Sequence, residues 1–175
     1  MPNQIAFYPQ SSGGGSGAVT LISNTTLGSA SATVNISAIP ATFTNLMLVV
    51  NSELSGTSAT ELIFAQFNGD TAADYTNGYI LNSTGTVTGS SSIDQTSIFI
   101  GTSGPNGGSI QAVISGYTSG ILKGVTSTSS CAAAGGLTQL QGGGIWNQTA
   151  AISSILLTAA AGSFVAGSTF SLYGF

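Results

Sequence analysis

Short apolar and alternating segments, separated by glycine, proline and asparagine, recur along most of the chain. Residues 32–37 alternate apolar and polar side chains with the period of a half-buried β-strand. Residues 46–50, Leu-Met-Leu-Val-Val, form a near-continuous apolar run that predicts a central strand. Further strands are predicted at residues 19–22, 62–67, 78–81, 96–100, 109–117, 121–127, 137–146, 152–157 and 168–173. No stretch longer than one turn combines helical periodicity with charged flanks.

Many short strands at this spacing predict an all-β fold, a jelly-roll-like antiparallel β-sandwich with a flexible N-terminal arm. Threonine, valine, isoleucine and aromatic residues dominate the predicted strands, as pleated surfaces favour. The tripeptide Asn68-Gly69-Asp70 follows one of them and predicts a tight turn. The segment 150–166 is apolar but is interrupted by serine, threonine and glycine, so it predicts two strands and a turn rather than a membrane span.

The chain divides into an N-terminal arm with a Gly/Ser linker at residues 1–17 and one β-sandwich domain at residues 18–175. The run at residues 11–17 contains only serine and glycine, which is typical of a flexible linker. Ile5, Phe7 and Tyr8 precede it. The segment is either a frayed terminus or an arm that orders when it docks on a neighbouring subunit, and the three large side chains favour the arm.

Charge is almost absent, since only 3% of the residues are charged and the chain has neither arginine nor histidine. Lys123 is the only basic residue, whereas the acids are Glu53, Glu61, Asp70, Asp74 and Asp94. One lysine cannot neutralise a row of phosphates or attract an anionic bilayer, so neither nucleic acid nor a membrane surface is expected as a partner. Weak repulsion between copies predicts self-association.

Catalytic chemistry lacks its usual residues, so the chain is not expected to be an enzyme or to carry a cofactor. Without histidine there is no imidazole base or metal ligand, and the serines have no base that would activate one of them. Asn68, Asp70 and Asp74 supply oxygen atoms near a glycine turn. They could hold a cation, but the spacing does not match an EF-hand loop, and a hairpin turn capped by side-chain oxygens is the alternative.

Two further residues are open to a functional and a structural interpretation. Cys131 is the only cysteine, so no internal disulfide can form, and a small buried residue is expected. Trp146 lies between a glycine run and Asn147. It is either a core anchor or a half-exposed platform on which a sugar stacks.

Three segments resemble sequences in tailed-bacteriophage virion structural proteins. They are Leu62-x-Phe64-x-x-Phe67-Asn68-Gly69-Asp70 followed by Tyr75, the stretch 146–155 that begins Trp-Asn-Gln-Thr-Ala, and the closing stretch 164–174. The resemblance covers scattered motifs over residues 18–175. It implies a β-sandwich with a structural role in the virion, in head decorations, fibres or minor tail proteins. Members of that family are expected to carry more lysine and arginine than this chain, which makes electrostatic docking doubtful.

The resulting expectation is a capsid decoration (cement) protein on the head surface of a virion, which binds the major capsid protein and stabilises the assembled shell. Ile5, Phe7 and Tyr8 would form its capsid-docking arm, and the chain would be a homo-oligomer, with a trimer favoured. The alternative is a tail fibre or receptor-binding module that recognises host surface glycans, with Trp146 as its platform. A threonine-rich adhesin or ice-binding surface is a third alternative, but the threonines are not regularly spaced.

Overall fold

The computed structural model describes residues 18–56, 60–133 and 136–175, and these ranges contain strands but no helix. The side chain of Ala133 is also outside the description. The strands are β1 (Thr20–Thr26), β2 (Thr33–Ile36), β3 (Asn45–Ser52), β4 (Leu54–Ser55), β5 (Glu61–Phe67), β6 (Tyr75–Ser83), β7 (Thr86–Gln95), β8 (Ile98–Ser103), β9 (Gly108–Ser115), β10 (Lys123–Ala133), β11 (Gly136–Trp146), β12 (Ile155–Ala159), β13 (Ser163–Phe164) and β14 (Thr169–Gly174). The prediction of an all-β fold is confirmed.

Two antiparallel sheets form a sandwich, with eight strands in one sheet and four in the other. The order in the larger sheet is β1-β14-β3-β9-β10-β11-β6-β7, and in the smaller sheet it is β2-β12-β5-β8. The short strands β4 and β13 form a separate ladder. The other strands show a nested pairing once β4, β13 and the two pairs β6–β7 and β10–β11 are set aside. Of the eight strands that remain, those nearest the two ends of the chain pair first: β1 with β14, then β2 with β12, β3 with β9, and β5 with β8.

The core lies between the sheets because inward-facing positions in the strands are apolar. Along β3, Leu46, Leu48 and Val50 are buried, whereas the residues between them are partly exposed. Ile63 and Phe67 point into the core from the smaller sheet, and both are fully buried. This alternation places one face of each sheet against the other and leaves the opposite face in solvent. Apolar burial of this kind is the main stabilising contribution to the sandwich.

Neutral polar side chains also lie in the interior and have hydrogen-bond partners there, with Ser127 Oγ the exception within the described residues. The Asn77 side-chain amide of β6 donates to the Ser97 carbonyl at 3.0 Å and accepts from the Phe99 N–H at 2.9 Å. Ser103 of β8 donates to the Ser52 carbonyl of β3 at 2.7 Å. A buried polar group without such a partner would cost about 1–3 kcal/mol. These bonds therefore fix how the smaller sheet sits on the larger one.

The turn after β5 has backbone angles that its sequence favours. Asn68 and Gly69 both have positive φ, 55° and 70°, and the Asp70 N–H donates to the Phe67 carbonyl at 2.9 Å. The predicted tight turn is confirmed, but the hairpin alternative is wrong. β5 pairs with β12 and β8, and β6 pairs with β11 and β7, so this turn carries the chain from one sheet to the other.

Strand β7 is the main element that the apolar pattern does not predict. Its sequence, Thr-Val-Thr-Gly-Ser-Ser-Ser-Ile-Asp-Gln, has only two large apolar side chains, and most of its residues are exposed. It forms a hairpin with β6 through Thr84 and Gly85, which have φ of 50° and 89°. Backbone pairing along β6, rather than burial of its own side chains, holds β7 in the sheet. The two-strand prediction for residues 150–166 is confirmed by β12 and β13. Within the described ranges, no helix is long and apolar enough to span a bilayer.

Glycines in β11 allow unusually close contact with both neighbouring strands. A Cβ atom at Gly144 would lie 1.8 Å from the Thr76 carbonyl oxygen of β6. A Cβ atom at Gly143 would lie 2.0 Å from the Val125 carbonyl oxygen of β10, and the φ of Gly143 is 145°. Because both obstacles are backbone atoms, no side-chain rotation can relieve the clash. Glycine at positions 143 and 144 is therefore required by strand packing.

We expect Gly144→Ala to lower the free energy of unfolding by about 3 kcal/mol, because the added methyl group forces β6 and β11 apart. Gly124→Ala in β10 is the matched control, since a Cβ atom there meets nothing within 4 Å. It should change stability by less than about 0.5 kcal/mol. Urea unfolding followed by tryptophan fluorescence measures both. Equal stability of the two variants would contradict the close packing of β11.

Candidate functional site

Trp146 is part of the core and is only 2% exposed. Its ring contacts Phe67 edge-on with 5.5 Å between centroids, and it stacks on Tyr75 at 6.3 Å. The indole N–H donates to Asp70 Oδ2 at 2.7 Å. Since the faces of the indole are covered by protein, Trp146 is not available as a sugar platform. The core-anchor interpretation is the one that fits, because β11 ends by directing this side chain between the sheets.

The candidate cation ligands accept hydrogen bonds from other groups of the protein through their side-chain oxygen atoms. Asp70 accepts from Trp146 through Oδ2 and from the Ala72 N–H through Oδ1 at 2.9 Å. Asp74 Oδ2 accepts from the Gln148 side chain at 2.5 Å. Asn68 Oδ1 accepts from the backbone N–H of Ser153 at 2.8 Å. In the ranges that the structure describes, no three histidine, cysteine or acidic side chains gather in a group that could hold a metal. These residues instead tie the β5–β6 turn to the segment before β12.

The only lysine is buried. Lys123 has no exposed surface, and its ammonium group donates to the carbonyl oxygens of Ser119, Ile121 and Thr149, the last two at 2.5 and 3.2 Å. Burial lowers the pKa of this amine. Because the chain has no arginine and no other lysine, no basic side chain of residues 18–175 reaches solvent. Any partner of this surface must be bound without the aid of a cationic side chain.

Cys131 is buried, as the sequence predicts, and is 3% exposed. Its Sγ atom lies 3.5 Å from Thr102 Oγ1 and 3.7 Å from Thr60 Oγ1, and both of these partners are neutral hydroxyl groups. It packs between the two sheets. The arm residues Ile5, Phe7 and Tyr8 lie outside the described residues, and the arm stays a prediction.

The solvent side of the eight-stranded sheet, called the outer face below, is the most extensive surface of the sandwich. Strand register defines its two central rows: Val49, Gln111, Thr128, Gln141 and Ile80, and next to them Met47, Val113, Thr126, Gly143 and Gly78. Side chains paired in this way point to the same side of a sheet. Neither row contains a charged residue. Amide, hydroxyl and apolar groups alternate across five strands.

Large apolar side chains are exposed toward the β7 edge of the outer face. Ile80, Val87, Ile93, Leu137 and Ile145 lie on the neighbouring strands β6, β7 and β11, and each is between 45% and 69% exposed. Single exposed apolar residues are ordinary on a protein surface, but Ile80 and Val87 are diagonal neighbours on adjacent strands, and clustered apolar residues are typical of an interaction site. The apolar group borders the central rows, so the two together form one uncharged surface.

An open depression of about 610 Å³ lies within the outer face. Gly78 and Gly142 are among its lining residues, and Gly78 pairs with Gly143 of β11, so neither residue of that pair places a side chain over the sheet. Ile80, Gln111 and Gln141 are among the residues of its wall. The depression could accept a bulky apolar group or a neutral polar group, since its lining offers both contacts. The depression could not be predicted from the sequence, because the gap arises where glycines of two strands come side by side, which register alone determines.

The carboxylates lie away from the centre of the outer face. Glu53 is in the β3–β4 connection, Glu61 begins β5 in the smaller sheet, and Asp70 and Asp74 are in the β5–β6 connection. Asp94 is the exception, because it lies in a bulge of the edge strand β7, where its φ is 55°. A charged residue in a bulge discourages another strand from adding to that edge. The neutral centre is thus bordered by charge on one side only.

Tyr75 lies below this surface and connects the sheets. Its hydroxyl accepts from the Phe67 N–H at 2.9 Å and donates to the Asp70 carbonyl at 3.3 Å. Burial is the main cause that raises the pKa of Tyr75 to about 12 from 10.0. The Phe67 N–H opposes this shift, and the nearby Asp70 and Asp74 carboxylates add to it. The neutral phenol is therefore stabilised by the fold.

We expect alkaline pH to remove the stabilisation that Tyr75 provides. The unfolded chain loses this proton near pH 10 and the folded chain near pH 12, so the contribution is complete below pH 10 and is lost as the pH rises through 12. Tyr75→Phe has no such proton. The difference in unfolding free energy between wild type and Tyr75→Phe should fall by about 2–3 kcal/mol from pH 9 to 12. Urea unfolding at each pH measures it, and a difference that does not vary with pH would contradict the buried phenol.

Comparisons with known proteins place no outside constraint on this site. No family model matches the chain, no curated protein matches it, and no solved structure matches the fold. The function must therefore be argued from the outer face, the buried lysine and the strand pairing. Those features leave the broad, uncharged outer face as the candidate site.

Proposed function

We propose that this chain is a bacteriophage capsid decoration (cement) protein that binds the assembled head shell and stabilises it. The observation that carries the proposal is the uncharged outer face of the eight-stranded sheet. A broad surface with exposed Ile80, Val87 and Ile145 and no charged residue in its central rows favours association. A protein that is permanently covered in an ordered assembly tolerates such a surface better than one that diffuses freely.

The nested strand pairing supports this proposal. In the nested set, the first strand pairs with the last and the second with the next to last, and so on inward. This arrangement is expected when one long antiparallel ribbon is rolled into a sandwich. On that basis we assign the fold to the jelly rolls, an architecture of viral capsid and lectin domains. The fold alone does not determine the function. It agrees with the virion role that the sequence resemblance implies.

Surface chemistry indicates how docking would occur. With Lys123 buried and only a few carboxylates exposed, contact with the major capsid protein would depend on apolar burial and neutral hydrogen bonds. Binding of this type responds little to salt, unlike contacts between charged surfaces. The arm residues Ile5, Phe7 and Tyr8 would supply the apolar part of the contact with the shell. The same low charge favours a homo-oligomer, which we propose to be a trimer.

Stabilisation would follow from mass action. A protein that binds the assembled shell but not the free subunits shifts the equilibrium toward the shell, by about 2.7 kcal/mol per site at a concentration of 100 times Kd. Several weak contacts made by one oligomer increase this effect, because the second contact forms at a high effective concentration. No catalytic step is required, in agreement with our proposal that the chain is not an enzyme.

The alternative is a tail fibre or receptor-binding module that recognises host surface glycans. Burial of Trp146 removes its expected platform. The depression in the outer face still favours glycan binding, since its lining residues Gln111, Gln141 and Thr128 could hydrogen-bond to a neutral sugar. The two candidates differ in position and copy number on the virion, because a decoration protein covers the head and a receptor-binding module is present in few copies on the tail.

Cryo-electron microscopy of virions that contain this protein tests the proposal. We expect many symmetric copies on the head, at the same occupancy in 50 mM and 500 mM salt. A few copies at the tail would overturn the decoration function and favour glycan recognition. Heads without the protein should release DNA at a lower temperature, and adding the purified protein should restore the release temperature.

Substitution of the arm separates its role from that of the sandwich. We expect a variant with alanine at Ile5, Phe7 and Tyr8 to bind heads at least tenfold more weakly, because the apolar contact is removed. Alanine at Asn3 and Gln4 in the same segment is the matched control and should leave binding nearly unchanged. Head pelleting with increasing protein concentration gives both affinities. Equal binding by the two variants would contradict the docking role of the arm.

A further inference from the structure

We propose that the outer face is the surface through which copies of this chain contact one another, so that the faces of neighbouring copies meet around a symmetry axis. The contact is centred on β6, β10 and β11, where the depression lies beside the exposed Ile80 and Ile145. This inference goes beyond the decoration function, because it concerns the isolated protein and holds whichever structure the oligomer binds.

The outer face offers more area for a contact between copies than the solvent side of the smaller sheet does. Eight strands spaced about 4.8 Å apart and about eight residues long cover roughly 900 Å². A stable interface buries about 800 Å² on each partner. The solvent side of the smaller sheet has four shorter strands and covers only about 300 Å² by the same measure. Within the described residues, the outer face is therefore the sheet surface large enough to hold an assembly together.

Charge distribution favours a second copy as the occupant. The chain has a net charge of −4 from a few carboxylates, so contacts that bring these carboxylates of two copies together are unfavourable. The centre of the outer face avoids this repulsion, because Glu53, Glu61, Asp70 and Asp74 all lie on other parts of the sandwich. Asp94 at the β7 edge limits the contact on that side. A strongly charged partner would find no opposite charge in the central rows, whereas a second neutral face fits them.

Chemical groups on the face can satisfy one another. Gln111, Gln139 and Gln141 carry amides that both donate and accept hydrogen bonds, so two copies of the same surface can pair without unsatisfied groups. Exposed apolar side chains of one copy can fill the depression beside Gly78 in another. A side chain of one copy seated in the depression of the next is a complementary contact that a symmetric oligomer, two-fold or of higher order, can repeat. The contact would remove Ile80 and its apolar neighbours from water.

Ile80→Asp tests the contact against a closely matched control. Ile80 on the outer face is 58% exposed, and Ile121 in the β9–β10 connection is 69% exposed and off the sheet. We expect wild type and Ile121→Asp to form the same oligomer, with a mass that gives the number of copies. Ile80→Asp should dissociate at a concentration at least tenfold higher, because a carboxylate is buried at the contact. Light scattering coupled to size exclusion, at about 1–100 µM protein, measures all three.

A charge-pairing experiment establishes that the faces meet each other. Ile80→Asp mixed with Ile80→Lys should restore assembly, whereas each variant alone stays dissociated, since opposite charges then lie across the contact. Circular dichroism and thermal unfolding verify that both variants are folded. A monomeric wild type at 100 µM, or assembly of Ile80→Asp at the concentrations where Ile121→Asp assembles, would overturn the inference. Head binding by a monomer would overturn it while leaving the decoration function intact.

Discussion

Hydrogen bonds from buried side chains to the backbone of the opposite sheet hold β6 in place, and the outer face depends on them. The Tyr75 hydroxyl binds the end of β5, the Asn77 side chain binds the backbone at β8, and Asp70 in the connection binds Trp146 of β11. The chain has few charged residues, so these hydrogen bonds, of which only the one from Trp146 to Asp70 involves a carboxylate, take the place of ion pairs. They orient β6 and β11, which carry the depression and the exposed apolar side chains.

The scarcity of charge has consequences in both the interior and the surface. Inside, most polar contacts are made by amide, hydroxyl or backbone groups, and Lys123 is held by three carbonyl oxygens rather than by a carboxylate. Outside, the same scarcity leaves a face that neither repels a copy of itself nor attracts an ionic partner. The low content of charged residues thus accounts both for how buried polar groups are hydrogen-bonded and for why the surface favours assembly. It also separates this chain from proteins that find their partners by electrostatic steering.

Strand positions could be predicted wherever side chains are buried on one side. β2, β3, β5, β12 and β14 alternate or run apolar because one face of each meets the core, and their positions follow from that pattern. β7 could not be found, because it is held by backbone pairing and its side chains are mostly in solvent. The end of β10 was missed for a related reason, since residues 128–133 are small or polar while the strand continues by pairing with β9 and β11.

By itself, the sequence determines that the protein is all-β, that its interior and surface are almost without charge, and that histidine- and arginine-dependent chemistry is absent from its residues. These follow from composition and from period-two patterns, which are local properties. The tertiary structure alone decides that Trp146 and Lys123 are buried, that the Asn68-Gly69 turn joins two sheets, and that glycines of β6 and β11 lie side by side to open a depression. The physical reason is that burial, strand register and sheet order depend on contacts between residues far apart in the chain, which no local pattern encodes.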